Sequence, residues 1–136
     1  MKAKFLPKGR LFGALIVLTI AGCASEPTPP DIGHIVRRTS PSSFQNRCDL
    51  KITTHNKTNA TFLGVNTQFV LLDASGNLSA DIRYFVHGAL LPNHGMTVER
   101  TVDKPCGDLV AIKVLYLSLP VPTGYYQPRR LITEIR

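Results

Sequence analysis

Phe62-Leu63-Gly64-Val65-Asn66-Thr67-Gln68-Phe69-Val70-Leu71-Leu72-Asp73 is the longest β-prone run of the chain, and its reading decides the fold. Successive side chains of a strand point to opposite faces. Leu63, Val65, Thr67, Phe69 and Leu71 therefore share one predicted face, while Asn66 and Gln68 point the other way. Asp73-Ala74-Ser75-Gly76-Asn77 follows as a turn, with Gly and Asn available for positive φ. Ala80 to Val86 reads as the next strand, with Ile82, Tyr84 and Val86 on one side, and Gly88 to Gly95 breaks it. Met96 to Val102 is another strand, with Met96, Val98 and Val102 facing in, and Asp103 to Gly107 turns the chain again. Leu109 to Leu119 is almost continuously apolar, interrupted mainly by Lys113, which predicts a central strand covered on both faces. Upstream, Leu50 and Ile52 alternate with Asp49, Lys51 and Thr53, and His55 to Ala60 is a polar turn. Helical periodicity is not sustained anywhere in this region. Short strands between turn clusters predict an all-β chain folded as a small β-sandwich over residues 47–119.

The N-terminus reads differently. Lys2, Lys4, Lys8 and Arg10 precede a short apolar run, Leu11 to Ala21, which ends on small residues. That is the layout of a secretory signal peptide, and the run is shorter than the roughly 20 apolar residues that span a bilayer. Ile20-Ala21-Gly22-Cys23 resembles the lipobox of bacterial lipoproteins. The resemblance implies cleavage after residue 22, a thioether-linked diacylglycerol on Cys23 and acylation of the new amino group. It also implies a sorting rule: with Ala24 and Ser25 rather than Asp after the cysteine, a Gram-negative host would place the protein in the outer membrane, facing the periplasm. The partner expected first is therefore the membrane, through the lipid anchor.

Loss of residues 1–22 leaves 114 residues, with twelve basic and nine acidic side chains. A balance of +3 is a mildly basic surface, without the dense cationic patch that nucleic-acid binding requires. Cys48 and Cys106 remain after Cys23, and an even pair in an exported protein predicts a disulfide. His34, His55, His87 and His94 lack metal-ligand spacing, so no metal or other cofactor is expected.

Residues 23–46 read as the lipidated cysteine and a Pro/Ser-rich tether, built on Glu26-Pro27-Thr28-Pro29-Pro30 and Thr39-Ser40-Pro41-Ser42-Ser43. Residues 120–136 form a Pro/Tyr/Arg tail in which Leu131 to Ile135 is a candidate edge strand. Tyr125, Tyr126, Arg129 and Arg130 combine the residue types over-represented in binding hot spots. They read either as a partner-binding segment or as a loop whose tyrosines pack on the sandwich.

Phe69-Val70-Leu71-Leu72-Asp73, with Gly76 beyond it, resembles the motif of the FxLYD-type domain, Leu72 standing where that family has tyrosine. The resemblance covers roughly residues 48–118. It implies a small immunoglobulin-like sandwich with a broad role in envelope interactions, and it carries no catalytic residues.

The chain has no Gly-x-Ser-x-Gly elbow, Ser-x-x-Lys or His-Glu-x-x-His, and no glycine-rich phosphate loop. Its carboxylates, Asp73, Asp81, Glu99, Asp103 and Asp108, fall at strand ends or on expected exposed faces. The expected function is therefore non-enzymatic: a lipoprotein presenting a β-sandwich for protein–protein contact, as an accessory or assembly subunit of a cell-envelope complex. The alternative is a periplasmic inhibitor or ligand-binding module of the lysozyme-inhibitor kind. The +3 balance opposes a cationic lysozyme as its target.

Overall fold

The computed structural model describes residues 30–39 and 46–136. The signal peptide, Cys23 and residues 24–29 and 40–45 of the expected tether lie outside the described residues.

Two four-stranded sheets face each other, in the orders β5-β2-β1-β8 and β4-β3-β6-β7. The strands are β1 (Ile32–Thr39), β2 (Cys48–Asn56), β3 (Phe62–Leu72), β4 (Leu78–Leu90), β5 (Gly95–Val102), β6 (Ala111–Val121), β7 (Gly124–Tyr126) and β8 (Leu131–Ile135). This is the strand order of an immunoglobulin-like sandwich: β1, β2 and β5 lie together, and β3, β6 and β7 form the opposing layer with β4 at its edge. The strand pairs are antiparallel except β1 with β8, which run parallel. The core between the layers holds Ile32, Val36, Leu50, Ile52, Phe62, Val65, Phe69, Leu71, Leu117 and Leu119, all buried.

β3 is central to its sheet, and Val65, Thr67, Phe69 and Leu71 are buried as the alternation requires. Leu63 departs from the expected face: it is exposed, and Phe62 fills the core instead. The pairing with β4 shifts between Phe62↔Leu90 and Gly64↔His87, where Gly88 and Ala89 together oppose Leu63. Gly88 has φ 154°, a conformation that favours glycine. At Gly64 the strands approach so closely that a Cβ would stand 2.3 Å from the Val86 carbonyl oxygen. For the same reason β4 runs through Gly88 to Leu90, and the chain reverses only afterwards, with Asn93 at φ 60°.

The expected tether is corrected over Ile32–Thr39, which forms β1 inside the first sheet. Ile32, His34 and Val36 alternate inward, and β1 pairs with β2 on one side and β8 on the other. The flanking prolines dominate the composition there, and a histidine occupies one of the three inward positions, so the alternation is easily overlooked. The sandwich likewise extends beyond residue 119. The tail supplies β7, paired with β6, and β8, the edge of the first sheet.

The expectation for Leu109 to Leu119 holds only in part. Leu117, Ser118 and Leu119 are buried, but Ala111, Lys113 and Leu115 are exposed and alternate with half-buried Ile112, Val114 and Tyr116. The register with β3 shifts between Gln68↔Tyr116 and Phe69↔Val114, leaving Leu115 as the additional residue. The first half of β6 is thus a strand with one open face.

Cys48, at the start of β2, and Cys106, in the 3₁₀ turn Cys106–Asp108, form the disulfide across 58 positions. The turn carries the chain from the first sheet to the second, so the bridge ties the crossover to the sheet it leaves. Arg38 fastens the same turn: its Nη1 donates to the carbonyl oxygens of Cys106 (3.3 Å) and Leu109 (3.2 Å).

Candidate functional site

The two outer faces of the sandwich differ in chemistry. On the first sheet, polar side chains satisfy one another across the strands. The Thr53 and Thr97 hydroxyls lie 2.9 Å apart, Thr101 donates to Asp49 Oδ1 (2.7 Å), and Lys51 Nζ lies 3.6 Å from Glu99 Oε1. A broad hollow of about 650 Å³ over this face is lined by Asp49, Lys51, Glu99 and Thr101, with Thr39, Leu50 and Arg100. Such cross-strand pairs support the sheet and leave a solvated surface.

The second sheet exposes large apolar side chains on each of its four strands. Leu63 on β3 is 46% exposed, Phe85 on β4 45%, Leu115 on β6 51% and Tyr125 on β7 65%. The register relates them. Phe85 lies opposite Asn66, Asn66 opposite Ser118, and Tyr125 opposite Pro120 two residues further along β6. His87 stands edge-on to Phe85, ring centroids 4.2 Å apart. Arg83 and Lys113 flank the apolar side chains as exposed cations, and Asp81 as an anion. A single exposed leucine is ordinary in a folded protein; apolar groups on four neighbouring strands set this face apart from that of the first sheet.

Local structure explains why these groups point outward. The phase change at Gly64 sends Leu63 out, and the register shift beside Phe69 leaves Leu115 exposed. Phe85 is outward because Tyr84 and Val86 on either side point in.

The four residues expected at a partner-binding segment separate. Tyr125 projects from the outer face. Tyr126 turns inward, its ring centroid 5.2 Å from that of Phe62, and its hydroxyl donates to Asp31 Oδ2. The backbone N–H groups of Arg129 (2.9 Å) and Arg130 (3.1 Å) donate to the same carboxylate. Burial works to raise the Asp31 carboxyl, but these three hydrogen bonds outweigh it and hold the group below its ordinary value. Burial and the neighbouring carboxylate both push the Tyr126 phenol up. Tyr126 and the backbone of the two arginines therefore serve the fold, and of the four it is Tyr125 that presents its ring on the apolar face.

Leu63, Phe85 and Leu115 are members of the face that sequence reasoning did not single out. The signal for Phe85 was present: once Ile82, Tyr84 and Val86 point inward, a large aromatic between Arg83 and His87 must point out. The signals for Leu63 and Leu115 were not, since both depend on register shifts.

Among the described residues, no three His, Cys, Asp or Glu side chains gather as a metal site would require. His94 Nδ1 lies 2.8 Å from the Pro92 carbonyl oxygen, and Asn56, buried, spends its amide on Ala60, Leu90 and Thr58. No described helix is long and apolar enough to cross a membrane.

No family model matches the chain, and no curated protein matches it. A solved structure, that of IrmA from Escherichia coli, is similar at 11% identity, covering 76% of this chain and 91% of that one, with a TM-score of 0.49.

Proposed function

We propose that this chain is a non-enzymatic, lipid-anchored envelope protein that binds a protein partner through the outer face of its β4-β3-β6-β7 sheet. The observation that supports this most is the difference between the two outer faces: one carries paired polar groups with Ile132 as its single large exposed apolar side chain among the described residues, the other Leu63, Phe85, Leu115 and Tyr125. Aromatic anchors in a partly polar surround are the usual carriers of binding energy at protein contacts.

The anchor in this proposal is diacylglycerol on Cys23, in the outer membrane of a Gram-negative host. With the sandwich beginning near Asp31, seven residues, 24–30, separate it from Cys23. The domain then works close to the lipid surface, as an accessory or assembly subunit of an envelope complex.

The test is in-cell crosslinking of the full chain in its native envelope, followed by purification and mass spectrometry. Wild type should recover subunits of one envelope assembly, and Phe85→Ser or Tyr125→Ser should reduce that recovery at least tenfold. Unchanged recovery with both variants would sink the proposed face. Recovery of a single hydrolase would move the protein to the inhibitor class, and a Cys23→Ser chain still held in the membrane fraction would remove the anchor.

A further inference from the structure

We infer that two copies of this chain associate edge to edge through β4, antiparallel, with Ile82 of one copy opposite Ile82 of the other. The inference goes beyond the proposed partner contact and does not rest on it.

β4 is the longest strand, at 13 residues, and it lies at the edge of its sheet. Among the described residues it pairs with β3 alone, so from Ala80 to His87 its other backbone edge meets no described strand. An open strand edge is a template for another strand unless its sequence opposes pairing. Between Ala80 and His87 the ladder with β3 runs without a register shift, so this stretch is straight enough to pair.

Which strand could pair there follows from the side chains. Opposed residues of an antiparallel pair point to the same face, so a two-fold axis between two copies must pass through a residue. An axis at Asp81 would oppose two carboxylates, and an axis at Arg83 two guanidinium groups; like charges directly opposite destabilise a sheet. An axis at Phe85 would set Arg83 against His87 and leave Asp81 against Ala89. An axis at Tyr84 sets Asp81 against His87 but leaves Arg83 against Phe85. An axis at Ile82 sets Asp81 against Arg83 of the other copy, and Arg83 against its Asp81, so each charge is matched and the dimer carries two such pairs.

Among the described residues neither charge is matched. Asp81 accepts from the neutral Gln68 amide (3.2 and 3.3 Å), and Arg83 has no carboxylate partner among the described residues. Charge matching thus selects the Ile82 register. In it the two outer faces lie side by side, placing two copies of the Phe85 surface on one continuous sheet.

The experiment measures the mass of the full-length chain in mild detergent by multi-angle light scattering, for wild type, Asp81→Arg, Arg83→Asp and the double exchange Asp81→Arg/Arg83→Asp. Wild type should show twice the chain mass. Each single variant opposes like charges and should weaken the dimer at least tenfold, while the double exchange restores it. Both positions are exposed, so melting temperatures should stay close to wild type and separate lost pairing from lost folding. A single-chain mass for wild type at every concentration would overturn the inference. So would a dimer that the single variants leave intact, or one that the double exchange does not restore.

Discussion

The carboxylate of Asp31 accepts the hydroxyl hydrogen of Tyr126 across 95 positions of sequence, joining the residue before β1 to the last residue of β7. Two backbone N–H groups, of Arg129 and Arg130, complete the same acceptor. Asp31→Ala should lower unfolding free energy by about 2 kcal/mol and Tyr126→Phe by about 1 kcal/mol, read from urea midpoints. Asp31 is held below its ordinary 3.8 in the folded protein. Its contribution is therefore present above pH 3.8 and is lost as pH falls through the lower folded value. Asp31→Ala should remove that part of the acid dependence.

His34 titrates in the opposite chemical sense. Its ring is buried beside Phe69, centroids 5.0 Å apart, with Nδ1 3.1 Å from the Thr54 hydroxyl oxygen, and Nε2 has no hydrogen-bond partner among the described residues. Burial lowers its value from 6.5 to about 4. The unfolded chain then binds more protons between these values, so stability is full above pH 6.5 and falls as pH drops towards 4. The loss at pH 5 should be about 2 kcal/mol. In His34→Leu/Thr54→Val, where both polar partners are replaced together, the dependence between pH 6.5 and 4 should flatten.

The Cys48–Cys106 bridge closes a loop of 58 positions around the β-sheet crossover. Chain entropy assigns such a loop about 4 kcal/mol. Reduction, or Cys48→Ala/Cys106→Ala, should lower the unfolding free energy by about that amount, measured by urea titration with and without reductant. A change under 1 kcal/mol would show that the Arg38 hydrogen bonds hold the turn unaided.

Gly64→Ala should cost about 3 kcal/mol, because the added Cβ meets the Val86 backbone oxygen and the strands must separate. Gly107→Ala, whose Cβ meets nothing within 4 Å, should leave the melting temperature near wild type.

The alternations around Leu50 and Ile52, from Val65 to Leu71 and around Ile82 and Tyr84 were legible because each strand carries its own two-residue period. β1 was not. Its inward residues are Ile32, His34 and Val36, and the burial of His34 depends on Thr54 and Phe69, which come from other strands. The candidate face was half legible. Tyr125 was singled out with Tyr126, Arg129 and Arg130, but separating the two tyrosines required knowing that Asp31 would meet Tyr126. Leu63 and Leu115 lie where a local period fails, at shifts defined by the neighbouring strand.

The sequence by itself determined that this is an all-β sandwich with a Cys48–Cys106 bridge, because strand periodicity, turn residues and paired cysteines are local or compositional properties. The tertiary structure alone decided that residues 32–39 and 131–135 lie side by side as parallel strands, which apolar residues the outer sheet shows, and that β4 is left with an open edge. Those outcomes depend on hydrogen bonds between segments far apart in the chain, and on one-residue register shifts that turn a side chain from one face to the other.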